Sequence, residues 1–128
     1  MITLPKKHLT RKEEITEDFL RLVDDHMAEL MSRPETRRLS SRDFAAQLFI
    51  APRHLTNTIK LTTGKSPCDF MEERILLEAE KLLRETTLSI AEIAYKFGYQ
   101  EPTNFIKFFK GMAGVTPLQY RKKLNIAA

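Results

Sequence analysis

Apolar residues recur at helical spacing along most of the chain. Ile15, Phe19, Leu22, Val23, Met27, Leu30 and Met31 fall three or four residues apart, so they line one face of a helix. Thr10-Arg11-Lys12-Glu13 stands just ahead of them and has capping-box form, a hydroxyl residue followed three positions later by an acid. Pro34 predicts the stop, because proline lacks an N–H and disfavours helical geometry in the residue before it. A first helix is therefore expected over about 11–32.

The same punctuation returns downstream. Ser40-Ser41-Arg42-Asp43 opens a helix carrying Phe44, Ala45 and Leu48, and Pro52 starts the next. Ser66-Pro67-Cys68-Asp69 opens a long helix to about residue 85, with its stripe at Phe70, Met71, Ile75, Leu76, Ala79, Leu82 and Leu83. Ser89-Ile90-Ala91-Glu92 and Thr116-Pro117-Leu118-Gln119 are two further boxes. No sustained alternation of apolar and polar residues and no Asn-Gly or Asp-Gly hairpin is present. The expected fold class is all-α, with seven helices and no sheet.

Residues 39–70 repeat as 88–120 once one residue is inserted near the turn of the second copy. Leu39 meets Leu88, Ser40 meets Ser89, Phe44 meets Ile93, Ala45 meets Ala94 and Leu48 meets Phe97. Past the insertion, Leu55 meets Phe105, Ile59 meets Phe109, Lys60 meets Lys110, Gly64 meets Gly114, Pro67 meets Pro117 and Phe70 meets Tyr120. Each copy is a short capped helix, a tight turn and a second helix closed by glycine, which is the plan of a helix-turn-helix. Ala45 and Ala94 let the two helices approach closely. Gly98 suits the left-handed residue that ends the first helix of copy two.

The second helix of each copy should turn its apolar residues inward: Leu55 and Ile59 in one, Phe105, Phe108 and Phe109 in the other. The opposite faces then carry Arg53, Thr56, Asn57 and Lys60, and Thr103, Asn104, Lys107 and Lys110. Neither holds a carboxylate beyond Glu101 at the start of the second. Arg and Lys donate to guanine O6 and N7, Asn pairs with adenine, and Thr offers a hydroxyl and a methyl, so these are groups that read a major groove. A joining helix of about nineteen residues would be roughly 28 Å long. Successive major grooves on one side of B-DNA recur about every 34–36 Å. The joining helix could thus serve both motifs on one duplex, with bending of the DNA or shallower docking of one motif absorbing any shortfall.

Charge changes the picture by segment. The 128 residues carry 21 Lys and Arg against 17 Asp and Glu, a net charge of +4. Residues 1–12 hold Lys6, Lys7, Arg11 and Lys12 and no acid. Residues 13–35 are acidic, with Glu13, Glu14, Glu17, Asp18, Asp24, Asp25, Glu29 and Glu35 against Arg21 and Arg33. The remainder is basic again, which places anion binding downstream of residue 35. Cys68 is the sole cysteine, so no internal disulfide can form and a reducing compartment fits. His8, His26 and His54 lack metal-ligand spacing, and the four glycines form no phosphate-binding run. No apolar run is long enough to span a membrane, and the first residues lack a signal-peptide core.

The second copy resembles the C-terminal DNA-binding domain of AraC/XylS-type bacterial transcription regulators. The resemblance is carried by Ser89-Ile90-Ala91-Glu92-Ile93-Ala94-Tyr95-Lys96-Phe97-Gly98-Tyr99, then Asn104 to Lys110, then Gly114-Val115-Thr116-Pro117-Leu118-Gln119-Tyr120-Arg121. With the matching stretch Leu39–Phe70 it covers about residues 15–124. It implies two helix-turn-helix subdomains joined by a long central helix. The organisation expected is a basic arm or linker over 1–12, a first subdomain over 13–65, the linker helix over 66–85, a second subdomain over 86–124 and a tail over 125–128. The resemblance further implies that Arg53, Thr56 and Asn57, and Thr103, Asn104 and Lys107, read bases; Lys60 and Lys110 stand where phosphate contacts are expected, His54 near the same face is placed for a phosphate or solvent contact, and Ser41 is a further phosphate candidate. Two positions depart from the family pattern. Ala51 replaces a capping Ser or Thr, a loss of about 0.5–2 kcal/mol of helix stability, and Pro102 replaces a polar residue.

These readings make the chain a sequence-specific transcription regulator of promoter DNA in the bacterial cytoplasm, with no cofactor and no metal. RNA polymerase is an expected partner. The expectation allows either a stand-alone regulator or the DNA-binding piece of a larger protein with an effector-binding or dimerisation domain upstream. The competing class is a helical protein-interaction module whose acidic first helix docks a basic partner. An enzyme is not expected: Cys68 at a helix start has no base near it in the pattern, and its plainer role is a small, partly buried thiol.

Overall fold

The apolar spacing yields α1 (Arg11–Ser32), α2 (Ser41–Gln47), α3 (Pro52–Thr63), α4 (Pro67–Glu85), α5 (Ile90–Lys96), α6 (Pro102–Ala113) and α7 (Pro117–Ala127), with no strand among the described residues. The structure, a computed structural model, describes residues 9–33 and 36–127. The expected stop at Pro34, and residues 1–8 of the basic arm with His8, lie outside the described residues.

Five helix starts carry the boxes that the sequence announces. Thr10 Oγ1 accepts the Glu13 N–H at 3.1 Å and the Glu13 carboxylate accepts the Thr10 N–H at 3.3 Å. Ser40 with Asp43, Ser66 with Asp69, Ser89 with Glu92 and Thr116 with Gln119 repeat the exchange. Each satisfies two backbone donors that a helix start otherwise leaves open. In the α4 box, the Ser66 amide and then its hydroxyl hold the Asp69 carboxyl below the ordinary aspartate value.

The chain divides into two compact units, Met1–Ala28 with Leu39–Met71, and Glu29–Arg38 with Glu72–Ala128. In the first, Ile15, Phe19, Val23 and Met27 of α1 are buried with Phe44 and Ala45 of α2, Leu55 and Ile59 of α3, and Met71 of α4. The Phe19 ring meets Phe44 edge-on at 5.6 Å between centroids and Phe70 at 6.0 Å. His26 is also buried there, and its Nε2 accepts the Leu39 N–H at 2.9 Å. That bond holds the backbone one residue before the α2 cap.

In the second unit the buried residues are Leu30, Ile75, Ala79, Leu83, Ile93, Ala94, Phe97, Phe105 and Phe109. Phe97 stacks on Phe105 at 6.2 Å, and Phe109 meets Tyr120 of α7 at 5.7 Å. Arg121 of α7 donates to three carbonyls, Leu83 at 3.2 Å, Thr86 at 3.2 Å and Leu88 at 2.6 Å. One guanidinium thus closes the end of α4 and the loop after it.

Two expectations need correction. Phe108 was expected inward with Phe105 and Phe109, but it is only half-buried. The inward direction of α6 falls between positions 105 and 109, four residues apart, and position 108 lies on its flank. Cys68 was expected partly buried and is exposed. Pro67 takes the buried position at the start of α4, and the next residue turns about 100° away, toward solvent.

Candidate nucleic-acid interface

Each motif is built around one turn, and the two turns share their hydrogen bonds. In the first, the Phe49 N–H donates to Ala46 O and the Ile50 N–H to Ala45 O, both at 3.1 Å. In the second, Gly98 donates to Tyr95 O at 3.0 Å and Tyr99 to Ala94 O at 3.1 Å. This paired arrangement is a Schellman motif, which requires a left-handed residue just past the helix end. Gly98 supplies it at φ 84°, and Phe49 supplies it at φ 59°. Glycine takes that conformation without strain, whereas a residue with a Cβ does not. Phe49 is 94% exposed, so little packing among the described residues offsets the strain.

The helices that leave these turns, α3 and α6, begin with proline and end at glycine. Gly64 and Gly114 both sit near φ 81–82°. Their N-caps, Ala51 and Glu101, make no side-chain cap hydrogen bond. The loss expected at Ala51 therefore also occurs in the second motif. Leu55, Thr58 and Ile59 anchor α3, and Phe105 and Phe109 anchor α6. Thr58 is buried although its hydroxyl sets it outside the apolar pattern of α3.

The outward faces match the pattern. On α3, Arg53, His54, Asn57 and Lys60 are exposed and Thr56 is half-buried. Arg53, Thr56, Asn57 and Lys60 share one face at offsets of three, four and seven, while His54 lies to the side with the exposed Leu61. On α6, Thr103, Asn104, Lys107 and Lys110 are all exposed. Ser41, in the first turn of α2, is half-buried beside the cap. Each motif thus gathers its nominated α3 or α6 side chains on a solvent-facing surface that holds donors and, apart from the exposed Glu101, no carboxylate. No group of three or more His, Cys, Asp or Glu among the described residues is arranged to hold a metal. No described helix is long and apolar enough to cross a membrane.

Two features of the site were not foreseen. The guanidinium of Arg38 lies over the Tyr99 ring, 4.6 Å from its centroid. Nothing in the sequence pairs residues so far apart. Phe49, by contrast, was legible: the repeat alignment sets it opposite Gly98, which identifies a position that wants glycine.

Two helix-turn-helix units, each with a donor face on its second helix that carries no acid beyond Glu101 at the start of α6, define a DNA-binding domain. A family model described as "Helix-turn-helix domain" matches residues 44–123. The chain belongs to this family, and its domain is of the AraC type. It is 27% identical over 120 residues to the HTH-type transcriptional activator AarP of Providencia stuartii, covering 94% of this chain and 83% of that protein. It is 28% identical over 113 residues to histidine kinase P4 of Formosa agariphila, covering 88% of this chain but only 8% of the kinase. The C-terminal domain of AraT, a response regulator from Geobacillus stearothermophilus, superimposes with a TM-score of 0.76 at 28% identity, over 89% of this chain and 88% of that one. The DNA-binding domain of the transcriptional factor AdpA, solved with a target DNA, shares the fold, with a TM-score of 0.70 at 22% identity over 86% of this chain and 96% of that one.

Proposed function

We propose that this chain binds promoter DNA sequence-specifically and regulates transcription, with α3 and α6 reading adjacent major grooves of one duplex. The observation that carries the reading is the match between the two outward faces, which repeat the same donor chemistry on the same scaffold. In this reading Arg53, Thr56 and Asn57 read one box, and Thr103, Asn104 and Lys107 the other. Lys60, Lys110, His54 and Ser41 neutralise or meet phosphates along the backbone. Such contacts release counterions, so affinity falls steeply with salt. The setting is the bacterial cytoplasm, and RNA polymerase is the protein partner, met by the acidic face of α1. Because the chain matches 8% of one relative and 83% of another, an effector-binding or dimerisation domain is a partner wherever this domain forms part of a longer regulator.

Selection of bound duplexes from a random pool tests the reading. The expected product is a two-box motif with centres about one helical turn apart. Arg53→Ala should then cost about 1–3 kcal/mol on that duplex and relax the preference at one base position. A chain that shows no preference over random duplex at physiological salt would instead be a protein-interaction module. An unchanged base preference in Arg53→Ala would remove Arg53 from readout.

A further inference from the structure

We infer that Arg38 is a positioning residue for the second recognition helix, acting through Tyr99. The inference rests on the DNA reading proposed above. The segment that ends at Arg38 belongs to the same compact unit as α5 and α6. It lies directly on the α5–α6 turn. A Cβ placed on Gly98 would come 2.9 Å from Arg38 Cβ and 3.5 Å from its backbone nitrogen. From there the Arg38 guanidinium reaches over the Tyr99 ring, 4.6 Å from its centroid, within the range of a cation–π contact. The Tyr99 ring also meets two rings of α6: its centroid is 5.6 Å from that of Phe105 and 6.1 Å from that of Phe108.

Phe105 in the core and Phe108 on the flank both belong to the first two turns of α6, and the nominated base-reading residues stand next to them. Thr103 and Asn104 precede Phe105, and Lys107 precedes Phe108. A rotation of α6 about its own axis would therefore move the three nominated side chains together. Tyr99 limits that rotation from one side, and Arg38 limits Tyr99. The equivalent turn of the first motif is different, because Phe49 stands there fully in solvent. The brace therefore belongs to the second motif, and its loss should be read at one box only.

A phosphate contact by Arg38 is the rival role, and salt separates the two. The test uses the full chain with Arg38→Ala, Arg38→Lys and Tyr99→Leu, on the selected duplex and on versions with either box scrambled. Arg38→Ala should weaken binding roughly two- to ten-fold on the intact duplex, with the salt slope unchanged. It should match the wild type once the second box is scrambled. Arg38→Lys keeps a cation over the ring and should recover most of the loss. Arg38→Ala should add nothing to Tyr99→Leu. A slope lowered by about 0.9 would assign Arg38 to a phosphate instead, and an equal loss with the second box scrambled, or additive effects, would equally overturn the brace.

Amide exchange without DNA gives an independent arm. Asn104 to Ile106 should exchange several-fold faster in Arg38→Ala than in the wild type or Arg38→Lys, with Leu55 to Asn57 of α3 unchanged. Equal exchange at α6 would refute the inference. A wild-type chain that ignores sequence would defeat the DNA reading, and the exchange result would still decide the brace.

Discussion

Replacing Gly98 by alanine isolates the closeness of Arg38 to the second turn, because Gly64 and Gly114 provide matched controls. All three glycines have φ between 81° and 84°. A Cβ at Gly64 or Gly114 meets nothing within 4 Å, whereas at Gly98 it lies 2.9 Å from Arg38 Cβ. Placing an L-residue in the left-handed region costs about 1–2 kcal/mol. Loss of glycine's freedom in the unfolded chain returns about 0.4–1 kcal/mol. Gly64→Ala and Gly114→Ala should therefore destabilise by roughly 0.5–1.5 kcal/mol. Gly98→Ala bears the same backbone cost plus overpacking against a Cβ that has no flexible end to swing away, about 1–3 kcal/mol more. The assay is urea unfolding by circular dichroism, compared at constant m value. Arg38→Gly in the Gly98→Ala background removes the opposing Cβ and should return the cost to that of the two controls. Equal destabilisation at all three glycines, or no relief from Arg38→Gly, would refute the reasoning.

The opposite experiment is Phe49→Gly, which removes a left-handed side chain that touches little. It should stabilise by about 0.5–1 kcal/mol, the relief being partly offset by glycine's unfolded-state entropy, and a loss of stability in urea would show that the ring packs on something. Arg121→Ala abandons three carbonyls at the end of α4 and should cost roughly 2–4 kcal/mol in the same assay, whereas a change under about 0.5 kcal/mol would mean water replaces the guanidinium freely. Lys60→Ala and Lys110→Ala should each lower the slope of log affinity against log salt by about 0.9 while leaving base preference intact. An unchanged slope in titrations from low to high salt would take that lysine off the phosphates.

Much of this architecture is local, and local features are readable in a sequence. The capping boxes involve residues three apart, so Ser40 with Asp43 and Ser89 with Glu92 announce α2 and α5 without reference to anything distant. The recognition faces are likewise a matter of helical offset: once Leu55 and Ile59 turn in, Arg53, Thr56, Asn57 and Lys60 must turn out. Misjudgements arise where a position lies on the border of a face, as at Phe108, or where a neighbour takes the inward place, as Pro67 does from Cys68. Contacts across long separations carry no periodic signature. Arg38 on Tyr99, His26 beneath Leu39 and Arg121 on the α4 end join segments that only the folded chain brings together.

The two turns also differ in how freely they tolerate substitution. Position 98 answers to two demands at once, a backbone angle and an absence of room, and only glycine meets both without strain. Position 49 answers to the angle alone and is already occupied by a bulky substitute. The two halves of the repeat thus answer one backbone requirement differently, and a library of random substitutions should yield folded chains with many side chains at position 49 and few at position 98.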